Sequence, residues 1–324
     1  MTKRRDFLRT AVLAGLSVPL TRSSFFHRTE AAKSISAPLL EPAKGETLIT
    51  VLHTNDTHSQ IDPILDNDKT YAGKGGVARR ATLVKRVRKE NPNTLLIDGG
   101  DVCQGTPYFN FYRGEVEYKA MSLIGYDAGT IGNHEFDNGV ESLAKALTFA
   151  NFDIVSTNYD VRGSALESKV KTHLVKEVGG IRVGLFGMGI SPIGLITPDN
   201  FKPLQYLDPV RMARGVTKLL REQERCSLVL GMSHLGYFPE AKGNEVGDTQ
   251  VAAQVDGIDF IASGHTHTFM EKPALQKSPS GKDTIIFQVG RSGIYVGRVD
   301  FTLRDGKVTA YAGRLLDLRD ESLA

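Results

Sequence analysis

From Glu46 onward the chain alternates short apolar, β-branched runs with longer stretches of helical period. "TLITVLHT" (47–54) reads as a strand ending at Thr54, and "NTLLIDGGD" (93–101) as a buried strand running into a glycine turn. Between them, "GGVARRATLVKRVRKEN" (75–91) carries Val77, Ala81, Val84 and Val87 three and four residues apart with basic residues between, the pattern of an amphipathic helix. "GEVEYKAMSLIGY" (114–126) and "GVESLAKALTFANF" (139–152) are helical, while "DAGTIGNHEFD" (127–137) is a brief strand entering a loop. "DIVSTN" (153–158) is a strand, and "THLVKEVGGIRVGLFGMG" (172–189) is two strands joined at Gly179-Gly180. "DPVRMARGVTKLLREQER" (208–225) predicts a helix capped by Asp208 with Pro209 in its first turn. "CSLVLGMSHLG" (226–236) and "GIDFIASGHTH" (257–267) are buried strands ending in His-bearing loops. Three further strands, "TIIFQVG", "YVGRVDFTL" and "KVTAYAGRLL", close the pattern. The alternation predicts α/β layers with a mixed sheet and an antiparallel tail, in one domain over 46–324.

Charge and composition narrow the functional classes. The 324 residues are 40% apolar and 24% charged, enough to build a core, and the formal charge is +3. That surplus is local: residues 1–33 hold seven Lys/Arg against two Asp/Glu, so the remainder is near −2. No general affinity for polyanions such as nucleic-acid polymers is therefore implied. Cys103 and Cys226 lie far apart and read as free thiols, Cys226 in the core.

The excess of positive charge marks an address. Residues 1–33 join a basic start to an apolar stretch, Thr10–Leu20, too short for a permanent bilayer span. Arg4-Arg5-x-Phe7-Leu8 resembles a twin-arginine export signal, which implies a periplasmic or secreted protein. Membrane attachment arises only if that signal is retained as an anchor. "SISAPLLEPAKG" (34–45) has no period and reads as a linker.

One structural context recurs: a buried strand stops, a glycine or small-residue loop follows, and the loop carries ligand-type side chains. "HTNDTH" supplies Asp56 and His58, "DGGDVCQG" supplies Asp101, "GNHEFD" supplies Asn133 and His134, "GMSHLG" supplies His234, and "SGHTH" supplies His265 and His267. In open α/β sheets, ligands bind beyond the carboxyl ends of the strands, so these loops are placed to line one pocket. Asp56/His58 and His265/His267 are two apart, which in extended backbone puts both members of each pair on one side. The donors are nitrogen and oxygen without a close cysteine pair, a set suited to manganese, iron, zinc or cobalt rather than calcium. His27, His53 and His173 fall outside this pattern and receive no role.

In order, Asp56-x-His58, Gly100-Asp101, Gly132-Asn133-His134-Glu135, the His234 loop and Gly264-His265-Thr266-His267 resemble the motif series of the calcineurin-like metallophosphoesterases. "TNDTH", "GDVCQGT" and "GNHEFD" are similar to the 5′-nucleotidase branch of that family. The resemblance implies a four-layer α-β-β-α sandwich of two mixed β-sheets and a cofactor of two divalent metal ions. It places Asp56, His58, Asp101 and His267 on one ion, and Asp101 (shared), Asn133, His234 and His265 on the other. It implies that His134 stabilises charge on the phosphoryl group, that Asp137 holds the His134 ring, and that Glu135 and Phe136 are structural. Two neighbouring dications would clamp a phosphate and acidify the attacking water. Cys103, two residues past Asp101, is read as a small core filler.

The implied activity is hydrolysis of nucleoside 5′-monophosphates or similar small phosphate esters. A 2′,3′-cyclic-nucleotide phosphodiesterase, a nucleotide-sugar hydrolase or a sulfur-ester hydrolase could use the same centre, and a non-catalytic subunit is the reading from another class. Family nucleotidases usually continue into a second, substrate-binding domain. The expectation here is a separate subunit that carries it, or a broad substrate range.

Overall fold

The computed structural model describes residues 38–239 and 245–318, which belong to one compact unit. The export signal expected over 1–33 and the start of the 34–45 linker lie outside the described residues. The strands are, in chain order, β1 (Thr47–Thr54), β2 (Thr94–Asp98), β3 (Ala128–Gly129), β4 (Asp153–Val155), β5 (Tyr159–Asp160), β6 (Val170–Lys171), β7 (His173–Val178) and β8 (Ile181–Met188). They continue with β9 (Gln205–Tyr206), β10 (Leu228–Ser233), β11 (Phe260–Ala262), β12 (Ala274–Lys277), β13 (Asp283–Phe287), β14 (Tyr295–Arg304) and β15 (Lys307–Asp317). A seven-stranded sheet runs β15-β14-β1-β2-β3-β4-β6, a six-stranded sheet runs β12-β13-β11-β10-β8-β7, and β5 pairs with β9. Both large sheets are mixed: β1 is parallel to β2 but antiparallel to β14, and β8-β10-β11-β13 are parallel between antiparallel β7 and β12.

Side-chain alternation sets the layers. Ile49, Val51, Leu95 and Ile97 face Val183, Leu185, Leu228, Leu230, Phe260 and Phe287 in one apolar slab between the sheets. The intervening Leu52 and Leu96 face outward, against Leu83, Val84, Val87, Tyr118, Met121 and Leu143 of the helices Val77–Glu90, Glu115–Ile124 and Gly139–Ala146. On the far side, Phe186 and Val229 meet Val210, Ala213 and Val216 of helix Pro209–Lys218 and Val251 of helix Asp248–Gln254. The result is helix-sheet-sheet-helix, the four-layer sandwich expected. Each fully buried large apolar side chain contributes about 1.5–3 kcal/mol, so the slab is a stiff base for the loops at its edge.

Several expected elements shift. Helix 208–225 begins at Pro209 with Asp208 Oδ1 accepting the Arg211 N–H at 2.6 Å, but its last turn, Leu219–Gln223, widens to π geometry. The helix expected over 139–152 ends at Ala146 and tightens into a 3-10 turn, Leu147–Phe149. Helices Pro107–Tyr112 and Asp248–Gln254 had no sequence signal, because six or seven residues are too few to show a helical period. Both cysteines are free and buried, as expected.

His53 is buried between the sheets, edge-on to Phe260 and Phe287 at 5.4 and 5.2 Å, and neither ring nitrogen has a hydrogen-bond partner. Burial pushes its pKa down to about 3, so the ring is neutral and acts as an apolar filler. The residue across from it on β14 is Gly297, where a Cβ would come 2.0 Å from His53 Nε2. Gly297→Ala is therefore expected to destabilise the fold by about 1–3 kcal/mol in chemical denaturation. The same change should cost much less in a His53→Ala background, because that deletion opens the space the new methyl needs.

Candidate metal centre

The ligand-type side chains of all five loops meet at the carboxyl-end rim of the two sheets. Asp56, His58 and His267 form one group, and Asp101, His234 and His265 another; within each, the donor atoms lie within 4.8 Å of one another. The groups abut. Asp56 Oδ1 is 3.2 Å from His267 Nε2, 3.9 Å from His58 Nε2 and 4.0 Å from His234 Nε2. Asn133 sits beside them, buried, at the start of the 3-10 turn His134–Phe136.

Backbone geometry departs from the expectation. Same-side placement of Asp56/His58 and His265/His267 assumed extended chain, yet all four are left-handed, with φ of 49, 48, 73 and 51°. Asp101 is left-handed too, at 54°. Asp56 and His58 still share a group, whereas His265 and His267 fall in different ones, the partition that the family resemblance implies. Such conformations cost of order 1–3 kcal/mol each and persist only where surroundings impose them.

The surroundings are hydrogen bonds between loops. The Asp56 N–H donates to the Gly100 carbonyl at 2.9 Å, and the His58 N–H to the Asp101 carbonyl at 3.1 Å. His265 N–H donates to Asp56 Oδ2 at 2.9 Å, and His134 N–H to Asp101 Oδ1 at 2.9 Å. Close approach also demands glycine: a Cβ on Gly132 would lie 2.1 Å from Asp101 Oδ1, and one on Gly100 would lie 2.8 Å from the Gly132 nitrogen.

Three braces hold these loops, and of them the sequence reading gave only Glu135 a structural part. Glu135 is buried, and its carboxylate accepts four backbone N–H groups: Asp101 (3.0 Å) and Gly132 (2.6 Å) on Oε2, Val102 (2.7 Å) and Cys103 (3.1 Å) on Oε1. It was expected to be structural, and its task is specific: it ties the β2 loop to the β3 loop. Asn55 donates to Asp56 Oδ2 at 2.6 Å and to the Gly290 carbonyl at 2.7 Å. Gln288 donates to the Gly264 carbonyl at 2.6 Å and accepts from the Thr268 N–H, fixing the His265–His267 turn from behind. Their neighbours in sequence gave a faint signal for the first two, since each adjoins a ligand-type residue; Gln288 had none.

The donor set fits divalent cations on two grounds. Asn133 Oδ1 and His234 Nε2 are buried without hydrogen-bond partners, although His234 Nε2 is only 3.0 Å from Asp101 Oδ2. Two ligand-type atoms this close, at the rim where the other donors gather, suit a shared cation. The second ground is charge. Burial opposes a charge on the His234 ring, yet the Asp101 and Asp56 carboxylates push its pKa up to about 10. Burial likewise opposes ionisation of Asp101, but His234 holds that carboxyl well below the usual range. The site calls for positive charge, and a bound cation supplies it while releasing the proton. His234 Nδ1 is meanwhile held 2.8 Å from the Gly99 carbonyl, leaving Nε2 as the ligand-ready atom.

His134 differs from the others. Its Nδ1 meets Asp137 Oδ2 at 2.9 Å, its side chain is about 33% exposed, and its ring lies edge-on to His58 with centroids 5.4 Å apart. The Asp137 hydrogen bond, assisted by Asp101 and opposed by burial, pushes its pKa up to about 9. Cys103 is buried, and burial raises its thiol well above the ordinary value, which fits the expected core filler.

Carboxylates and imidazoles gathered at the strand ends between two mixed sheets define a candidate centre for divalent metal. Residues 49–269 match the Calcineurin-like phosphoesterase family, and the chain belongs to it. Among its homologues are 5′-nucleotidases. A snake venom 5′-nucleotidase from Gloydius brevicauda is 31% identical over 85% of this chain and 48% of its own length. Trifunctional nucleotide phosphoesterase protein YfkN of Bacillus subtilis is 30% identical over 80% of this chain and 18% of its own. A solved 5′-nucleotidase precursor from Thermus thermophilus superposes with a TM-score of 0.74 at 34% identity, over 84% of this chain and 54% of that one. The chain spans about half the length of these two nucleotidases.

Glu135→Gln would turn an amide NH2 against two of the four N–H donors. It is expected to lower stability by about 2 kcal/mol in denaturant titration. Divalent-metal affinity should fall about 10- to 100-fold by calorimetric titration, since the Asp101 loop loses its anchor.

Proposed function

We propose that the chain hydrolyses nucleoside 5′-monophosphates, or closely related small phosphate esters, at a centre of two divalent ions. The observation that carries this reading is the convergence of two abutting three-residue donor groups from loops distant in sequence. The 5′-nucleotidase names of its relatives support the choice of substrate. Asp56, His58, Asp101 and His267 would hold one ion, and Asp101, Asn133, His234 and His265 the other. When bound, the ions would acidify an attacking water and offset phosphate charge. Manganese, iron, zinc and cobalt all suit this nitrogen-oxygen set.

The chain's own groups account for the rest. Only Asp56 and Asp101 among these seven are anionic, so the set leaves net positive charge for a phosphate dianion. Asn133 offers a neutral oxygen and preserves that balance. Asp137 fixes His134 Nδ1, which leaves the protonated ring's Nε2 to donate to a phosphoryl oxygen as charge builds there. Nothing in the comparisons supports the separate subunit expected above, and it has no part in this reading.

The reading extends to location. Residues 1–33 carry Arg4-Arg5-x-Phe7-Leu8, and we place the protein outside the cytoplasm by the twin-arginine route. Replacing both arginines by lysine is expected to retain the protein in the cytoplasm by cell fractionation; unchanged export rejects the route.

Asp101→Asn should abolish activity and lower metal content by elemental analysis. His134→Asn should keep its metal yet lose about 10²- to 10³-fold in kcat, the usual loss for one transition-state donor. A normal rate in that variant removes the role given to His134. A panel of AMP, 2′,3′-cyclic AMP, UDP-glucose and p-nitrophenyl phosphate checks the substrate: AMP should be turned over with the highest kcat/KM, and preference for another member rejects the nucleotidase reading.

A further inference from the structure

Beneath the metal loops lies a fully buried carboxylate that takes no part in the proposed chemistry. Asp98 closes β2, directly opposite Thr54 at the end of parallel β1, and its side chain is sealed from solvent. The Thr54 hydroxyl donates to Asp98 Oδ2 at 2.5 Å, and the Gly100 N–H donates to Asp98 Oδ1 at 2.8 Å. Two main-chain bonds run beside these: Gly99 N–H to the Thr54 carbonyl at 2.8 Å, and Asp56 N–H to the Gly100 carbonyl at 2.9 Å. Together the four close a stitch between the two strand ends. Thr54 stands two residues before Asp56, and Gly100 one residue before Asp101, so both arms of the carboxylate end beside a candidate ligand.

The stitch reaches further on either side. The single Thr54 hydroxyl proton points at Asp98, so Thr54 Oγ1 accepts from the Tyr126 hydroxyl, 2.7 Å away. The Tyr126 ring in turn faces Arg80 of helix Val77–Glu90, whose guanidinium carbon is 6.0 Å from the ring centroid. Arg80 is buried, and its Nε and Nη1 find no hydrogen-bond partner among the described residues, so it serves Asp98 through its charge. The Asp98 carbonyl accepts the Thr130 N–H at 3.1 Å, which anchors the segment leading to Asn133.

Asp98 is kept at a cost. Burial pushes its pKa up to about 7 and the Glu135 carboxylate adds to the rise, against the Thr54 and Gly100 hydrogen bonds and the Arg80 charge. A neutral side chain would fill the space without that cost, but would lose the pair of acceptors aimed at Thr54 and Gly100. Asp300 is a contrasting buried carboxylate. On β14, opposite Thr50, it is neutralised by Arg298 at 2.9 and 3.0 Å and accepts from the Thr50 hydroxyl at 2.7 Å. Neither partner adjoins a candidate ligand.

We infer that Asp98 is a positioning residue that fixes the separation of Asp56 and Asp101, on which the spacing of the two ions depends. The inference rests on the two-ion reading above and adds to it a group outside the candidate ligands. Asp101 is the ligand shared by both ions in that reading, so a shift of its loop against Asp56 alters both sites together.

The test is manganese binding to the full chain, read by calorimetric titration and by the exchange-coupled electron paramagnetic resonance signal of neighbouring ions. Asp98→Ala removes both acceptors, and should lower manganese affinity about 10- to 100-fold and diminish the coupled signal. Thr54→Val keeps the side-chain shape without the hydroxyl and should move both readings the same way; it carries the test if Asp98→Ala does not fold. Asp300→Asn breaks the buried pair with Arg298, and should destabilise the fold in urea yet leave affinity within about twofold and the signal intact. Unchanged affinity and signal in Asp98→Ala, or in Thr54→Val where that variant carries the test, overturn the positioning role while the two-ion reading stands. Equal losses in Asp300→Asn do the same. No coupled signal from the unsubstituted, manganese-saturated protein overturns both.

Discussion

The structure depends on holding groups together that repel. Two carboxylates, several imidazole lone pairs and an amide oxygen are brought to one small volume at the edge of the sheets. Without a cation between them, the carboxylates and imidazoles can relieve the crowding only by sharing protons, as Asp101 and His234 do. The polypeptide therefore supplies compression from outside: an apolar slab too stiff to relax, loops bonded to each other through their backbones, and left-handed residues at five ligand-type positions. That cost is tolerable because hydrophobic burial elsewhere is large, and because ion binding to the folded state adds stability that the unfolded chain cannot obtain.

A layered arrangement of support follows. Glu135 acts on backbone amides instead of on any ligand, so one buried carboxyl group sets the path of two loops. Asn55 ties the Asp56 carboxylate to the Gly290 backbone, and Gln288 holds the turn after β11, both through neutral amides. Family membership explains the recurrence of the ligand-type residues, while these braces explain how this chain keeps them in place.

Much of this was legible before any coordinates. Period-two runs ending in Gly-rich, polar loops identified both the sheets and the rim where chemistry gathers; β1, β2, β10 and β11 end where the pattern said. Legibility failed at short range. Helices Pro107–Tyr112 and Asp248–Gln254 are shorter than two full periods of a helical pattern, and the turn at 219–223 depends on tertiary packing. The pairs two residues apart were seen for the right reason, spacing, but with the wrong backbone, because nothing in "SGHTH" distinguishes an extended segment from a left-handed turn. Gln288 was invisible, since its partners lie over twenty residues upstream.

The meshing of the loops after β2 and β3 has an evolutionary corollary. With Gly132 fitted against Asp101, and Gly100 against Gly132, each loop is the mould for the other. A genetic crossover falling between residues 102 and 131 would join halves shaped in different lineages, and a mismatch of one methyl group would spoil the fit. These segments should thus be inherited as a linked block, and chimaeras of related hydrolases are better spliced outside it.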